Sequence, residues 1–119
     1  MRVAIVGSRS WTDLAAVQHV IETLEPDDVV ISGGARGVDT MAVEAARARG
    51  LAVEVYPADW DRFGRSAGFR RNATIVERAE RVVALWDGLS RGTAHTIRLA
   101  KLAGKPVLVV LPTPNTGSS

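Results

Sequence analysis

Three short stretches of this chain repeat one chemical recipe. They are Gly7-Ser8-Arg9, Ser32-Gly33-Gly34-Ala35-Arg36-Gly37 and Asp87-Gly88-Leu89-Ser90-Arg91-Gly92-Thr93. Each holds glycine, a hydroxyl residue and an arginine within a few positions. Glycine lets main-chain amides approach a ligand and take positive φ. Serine and threonine supply neutral donors, and arginine supplies a planar fork of charged donors suited to phosphate. The second and third stretches run into helix-period sequence, so the first unpaired N–H groups of two helices add to the same attraction for an anion. The candidate ligand set is therefore Gly7, Ser8, Arg9, Ser32, Gly33, Gly34, Arg36, Gly37, Gly88, Ser90, Arg91, Gly92 and Thr93. Neither G-x-G-x-x-G after the first strand nor G-x-x-x-x-G-K-[ST] occurs, which argues against a conventional dinucleotide dehydrogenase and a P-loop NTPase.

Other residues carry two readings each. Asp39 falls in the first turn of a helix, where the dipole favours a carboxylate, or where it meets a ribose hydroxyl. Asp87 ends an apolar run beside the third glycine loop, as a loop residue or as a contact to ribose or water. Arg70, Arg71 and Asn72 open the third helical segment. Two cations at the positive end of a helix suit an anionic ligand better than bare solvent. Trp60 and Trp86 either stack on a base or pack locally. His95 reads as a helix-surface residue rather than a general base. The chain has two histidines and no cysteine, so no metal site is expected, nor any thiol chemistry.

The elements that must position these groups follow from periodicity. Short β-branched runs at 3–6, 29–31, 51–56, 82–86 and 107–110 suit strands buried on both faces. Between them lie amphipathic segments. Leu14, Val17, Val20, Ile21 and Leu24 form one apolar face, with Thr12 or Asp13 as its cap. Val38, Met41, Ala42, Ala45 and Ala46 form a second, closed by Gly50. Residues 67–80 form a third, and Ala94, Ile97, Leu99, Ala100 and Leu102 a fourth, ended by Gly104 and Pro106. The alternation predicts an α/β fold: a Rossmann-like three-layer sandwich on a five-stranded parallel sheet. The favoured order is 3-2-1-4-5, with 2-1-3-4-5 as the alternative. In the favoured order the crevice lies between the loops after strands 1 and 4, where ligands bind in open parallel sheets. Residues 57–70 read as the longest irregular connection, too rich in aromatic and arginine side chains for plain disorder. Residues 1–111 form one domain, and 112–119 a flexible tail.

A length of 119 residues suits one domain with its own core. Net charge is +2, too small to imply nucleic acid by itself, although thirteen arginines against two lysines make the basic side uneven. The first apolar run is too short for a signal peptide or a membrane span. A cytoplasmic protein with no membrane partner is expected.

These loops, together with Trp11, Pro57-Ala58-Asp59-Trp60 and Gly68-Phe69-Arg70-Arg71-Asn72, resemble the YspA-type SLOG proteins of the SMF/DprA–LOG superfamily. The resemblance implies a Rossmann-like fold that recognises nucleotides or nucleotide-derived ligands. In the Lonely Guy branch, phosphoribohydrolases carry P-G-G-x-G-T-x-x-E after an Arg-Lys pair. That branch implies a phosphate-binding role for Gly92 and Thr93 and an arginine role for Arg71. Its catalytic glutamate has no counterpart, because Thr96 stands there. Cleaving an N-glycosidic bond needs a carboxylate, so chemistry would fall to Asp39 or Asp87 with Arg71. The DprA branch binds single-stranded DNA. Its S-G-x-A-x-G-I-D-x-x-A-H and R-N-R stretches are similar to 32–42 and 70–72, with Val43 and Ala73 as departures. The first expectation is thus a ligand-binding or sensing domain for a nucleotide-like small molecule, with no resident cofactor. A nucleoside 5′-monophosphate N-glycosidase comes second and single-stranded DNA binding third. A homodimer is a further partner that the superfamily implies.

Overall fold

The computed structural model describes residues 1–112. The strands are β1 (Arg2–Gly7), β2 (Val29–Ser32), β3 (Ala52–Val55), β4 (Arg81–Leu85) and β5 (Val107–Val110). All pair in parallel, in the order β3-β2-β1-β4-β5. This is the favoured order; 2-1-3-4-5 is not formed. Residues 113–119, most of the expected tail, lie outside the described residues.

Side-chain alternation on the central strands builds two cores. Val3 and Ile5 face one side, with Val17, Val20 and Ile21 of α1 (Leu14–Glu22) and Val38, Ala42 and Ala46 of α2 (Val38–Ala48). Ala4 and Val6 face the other, with Ile75 and Val76 of α4 (Ala67–Arg78) and Ile97 and Ala100 of α5 (Arg91–Leu102). The fold is the expected three-layer sandwich, and both faces of β1 and β4 are dry. Each fully buried Val, Leu or Ile contributes about 1.5–3 kcal/mol of transfer free energy, and this fixes strand register against a one-residue slip.

Local signals set the helix starts. The Asp13 carboxylate caps α1 by accepting from the Ala16 N–H at 3.1 Å. Asp59 does the same for a short helix, α3 (Trp60–Phe63), accepting from Arg62 N–H at 3.1 Å. A 3₁₀ turn at Gly64–Ser66 then leads directly into α4. The 57–70 segment is therefore not an irregular loop: one cap and one tight turn give it helical order. This also moves Arg70, Arg71 and Asn72. They stand in the second turn of α4, not at its opening, so the dipole does not explain them.

Candidate functional site

The strand order reverses between β1 and β4, and the chain is tightest there. A side chain at Gly7 would collide with the Leu85 carbonyl and with Val38 Cγ2, so only glycine lets β1, β4 and α2 converge. Ser8 follows, fully buried. Its N–H donates to Leu85 O at 3.1 Å, its carbonyl accepts from Trp11 N–H at 3.2 Å, and its hydroxyl accepts from Asp87 N–H at 3.0 Å. Ser8 is thus a joint between the two glycine loops. Ser32 is another: its hydroxyl accepts from Gly34 N–H at 3.1 Å and lies 3.4 Å from the Asp39 carbonyl. Gly37, at φ 78°, passes against the Ser8 carbonyl, where a side chain would not fit.

A cavity of about 390 Å³ opens at this edge, within the range of about 300–1,000 Å³ usual for small-molecule sites. Buried Asp39, Asn72, Ile75, Thr93 and Thr96 line its inner wall. Exposed Arg9, Ser10, Trp60, Arg65 and Phe69 line its rim. Gly7, Arg71, Asp87, Ser90 and Gly92 complete the expected residues that face it. Of the other expected residues, Ser8, Ser32, Gly33, Gly34, Gly37 and Gly88 belong to the loops but lie outside the lining. Arg36 and Arg91 are exposed and lie outside the lining.

The cavity is electrically divided. At one end Asp39 is 5% exposed, and its carboxylate accepts from Ala35 N–H at 3.2 Å. Burial pushes this carboxyl up from 3.8 to about 6, against the pull of the Ala35 and Gly33 amides and of Arg71 and Arg9. Arg71 reaches over from α4, donating to Gly33 O at 2.7 Å and to the Asn72 side-chain oxygen at 3.1 Å. Gly33 is the spacer: a Cβ there would come within 2.5 Å of Arg71 Nη1 and 2.9 Å of Asp39 Oδ2.

At the other end lies the start of α5. Its cap residue Ser90 does not accept from a helix N–H; its hydroxyl instead hydrogen-bonds the Thr93 hydroxyl at 3.2 Å. Among the described residues, no protein acceptor meets the N–H groups of Arg91, Gly92 or Thr93. Asp87 does not compete for this end. Its carboxylate accepts from Ser90 N–H and Leu89 N–H, each at 2.8 Å, and from the Ser10 hydroxyl at 3.3 Å. Those bonds hold its carboxyl below the ordinary range, which makes Asp87 a loop brace and a weak base. Asn72 ties the two ends together, donating to Gly92 O at 3.2 Å with His95 Nδ1 at 3.3 Å. His95 sits behind this link, its basicity lowered by burial and then by Arg98. Among the described residues the ion pairs are Met1 N–Asp28 and Arg2–Glu54, so no cavity arginine is held in an ion pair, although Arg71 is engaged by Gly33 and Asn72. No cluster of metal-ligating side chains forms among them either.

Sequence reasoning missed Ser10, Arg65, Gly68 and Phe69, all of which line the cavity. For Arg65, Gly68 and Phe69 the signal was present, because 57–70 stood out for its arginines and aromatics. What hid the placement was its reading as loop. Trp86 and Trp60, weighed alike, separate: Trp86 is half-buried with its indole N–H on Ser90 O at 3.0 Å, while Trp60 stands at the rim.

Fold and cleft together define a Rossmann-like α/β domain with a ligand-sized cavity at the carboxyl edge of its sheet. The chain belongs to the YspA, cpYpsA-related SLOG family, whose model matches residues 1–63. A protein of Mycobacterium phage D29, the Gene 61 protein, is 39% identical over 117 residues, covering 90% of this chain and 94% of its own. Among solved structures, DNA processing protein A (DprA) from Streptococcus pneumoniae superposes with a TM-score of 0.80 at 25% identity over 98% of this chain. The chain spans 52% of that protein's length. DprA from Helicobacter pylori, solved for its single-stranded DNA binding mode, gives a TM-score of 0.68 at 22% identity, over 97% of this chain and 67% of its own. No helix among the described residues is long and apolar enough to cross a membrane.

Proposed function

We propose that this domain binds a nucleotide or nucleotide-derived phosphate ligand in the cavity between the β1 and β4 loops, in a binding or sensing role. The carrying observation is the start of α5, whose first three N–H groups lack protein acceptors beside a cavity rimmed by Arg9 and Arg65 and reached by Arg71. Such a helix terminus attracts an anion through both its free donors and its dipole. Asp39 at the opposite end would repel a phosphate but accept from a ribose hydroxyl, which orients the ligand. Thr96 favours binding over cleavage: it lines the cavity where a catalytic glutamate would stand, its hydroxyl 3.2 Å from Gly92 O. An N-glycosidase would have to rely on Asp39, since Asp87 is committed to its loop.

Thermal-shift measurement against AMP, ADP-ribose, NAD and cyclic nucleotides tests this, because a ligand bound to the native state alone raises Tm by mass action. A shift with at least one of them is expected. None with any, on folded protein, removes the reading.

Single-stranded DNA binding is the second reading, favoured by the likeness to the two DprA structures. Electrostatic DNA binding weakens steeply with salt. Tight, salt-sensitive binding of an oligonucleotide without any mononucleotide shift would favour this reading over the first.

A further inference from the structure

We infer that Trp60 and Phe69 form a nucleobase platform, so that the cavity's ligand class is a nucleoside monophosphate held by its base as well as its phosphate. The inference rests on the proposed nucleotide site and adds its second anchor. Both side chains line the cavity while leaving 53% of their surface in water. Large aromatic rings dominate the apolar surface that binding can remove from water, and here two of them share one rim. Their placement is built in. The Asp59 cap fixes the turn that presents Trp60. The indole lies close to Gly68, where a Cβ would make van der Waals contact with Trp60 Cη2 at 3.4 Å. Phe69 packs edge-on against His95, ring centroids 4.5 Å apart at 60°, and still lines the cavity half-exposed. Rings held in this way lose little freedom when a flat partner stacks on them.

The charged parts of the same cavity say what that flat partner carries. A purely apolar guest would leave the α5 N–H groups and the rim guanidinium groups of Arg9 and Arg65 unanswered. A bare sugar phosphate would leave both rings in water. A planar base, a ribose facing Asp39 and a phosphate at Gly92 and Thr93 answer all three. The volume of about 390 Å³ suits one such unit better than a dinucleotide.

Calorimetry of the full chain with AMP, GMP, CMP, UMP and ribose 5-phosphate tests the platform. At least one nucleotide should bind more tightly than ribose 5-phosphate by about 5- to 150-fold, the range that base–aromatic stacking supplies. Trp60→Ala and Phe69→Ala should each remove most of that preference and leave ribose 5-phosphate affinity unchanged. Trp60→Phe, which keeps a stacking ring, should restore much of it. If ribose 5-phosphate binds as tightly as every nucleotide, or if Trp60→Ala and Phe69→Ala both keep the preference, the platform is wrong although the phosphate site stands. If nothing binds to folded wild-type protein, both fail together.

Discussion

Gly92→Ala should make the empty protein more stable and the liganded protein less so. Gly92 is the second residue of α5, with a φ outside the positive range, and a Cβ built on it meets nothing within 4 Å. A glycine in a helix costs about 0.5–1 kcal/mol relative to alanine. Close to the terminus the smaller figure applies, so the empty variant should gain about 0.5 kcal/mol. For a domain of this size that raises Tm by about 2 °C. Gly92 also lines the cavity, and the proposed phosphate contacts its N–H, so an added methyl should crowd that contact. Losing that approach should weaken binding at least tenfold, or about 1.4 kcal/mol. At a ligand concentration of 100 times the wild-type Kd, wild type gains about 2.7 kcal/mol. The variant, at ten times its own weakened Kd, gains only about 1.4 kcal/mol. The two melting curves should therefore exchange order on adding ligand. Scanning calorimetry with and without the best nucleotide from the thermal-shift panel reads this directly. A lower Tm for the empty variant would show that the space is not open. An unchanged ligand shift would show that no anion sits at the α5 terminus.

Four further outcomes follow from the same geometry. Arg71→Ala and Arg9→Ala should weaken nucleotide binding tenfold or more by calorimetry, whereas Arg36→Ala and Arg91→Ala should leave it within about twofold, because only the first pair lines the cavity. Asp39 binds its proton more tightly folded than unfolded, so its stabilising effect is complete below about pH 4 and is lost as pH rises through about 6. The displacement from 3.8 to about 6 corresponds to about 3 kcal/mol; urea melts from pH 4 to 8 should show Asp39→Asn gaining on wild type as pH rises, and a constant difference would contradict a raised carboxyl. Ser8→Ala strips the acceptor from Asp87 N–H in a buried joint and should cost about 1–3 kcal/mol in the same melts. Asn72→Ala should cost about 1–2 kcal/mol and loosen the α5 start, seen as faster amide exchange at residues 94–97, the first amides of that helix with acceptors.

The fold was legible because its signals were redundant. Val3-Ala4-Ile5-Val6 and Val82-Val83-Ala84-Leu85 are continuous apolar runs, and such runs have one low-energy use in a chain that alternates with amphipathic helices. The site was legible only by loop. Sequence places Gly7, Arg9, Asp39, Asp87, Ser90 and Gly92 at one sheet edge, but it does not say which side of each loop a side chain takes. Arg36 and Arg9 follow glycine in the same way, yet only Arg9 lines the cavity. That choice depends on tertiary detail, such as the Ser8 carbonyl against which Gly37 turns the β2 loop. Ser8 and Ser32 show a second limit: a hydroxyl beside glycine serves a ligand or a buried joint with equal ease, and only the partner atoms decide.

The misread 57–70 segment has the largest functional consequence. Residues 57–70 read as an irregular connection, but the Asp59 cap gives part of it helical order, since satisfying an orphan N–H stabilises a short helix by about 1 kcal/mol. A loop could move its aromatics under cover when no ligand is present. A capped turn docked on α4 cannot, so Trp60 and Phe69 stay at the rim in the empty protein. The exposure is a standing cost of the empty state that a flat guest would relieve, and the affinity so gained should appear mainly as slower dissociation, because the rings are in place before the ligand arrives.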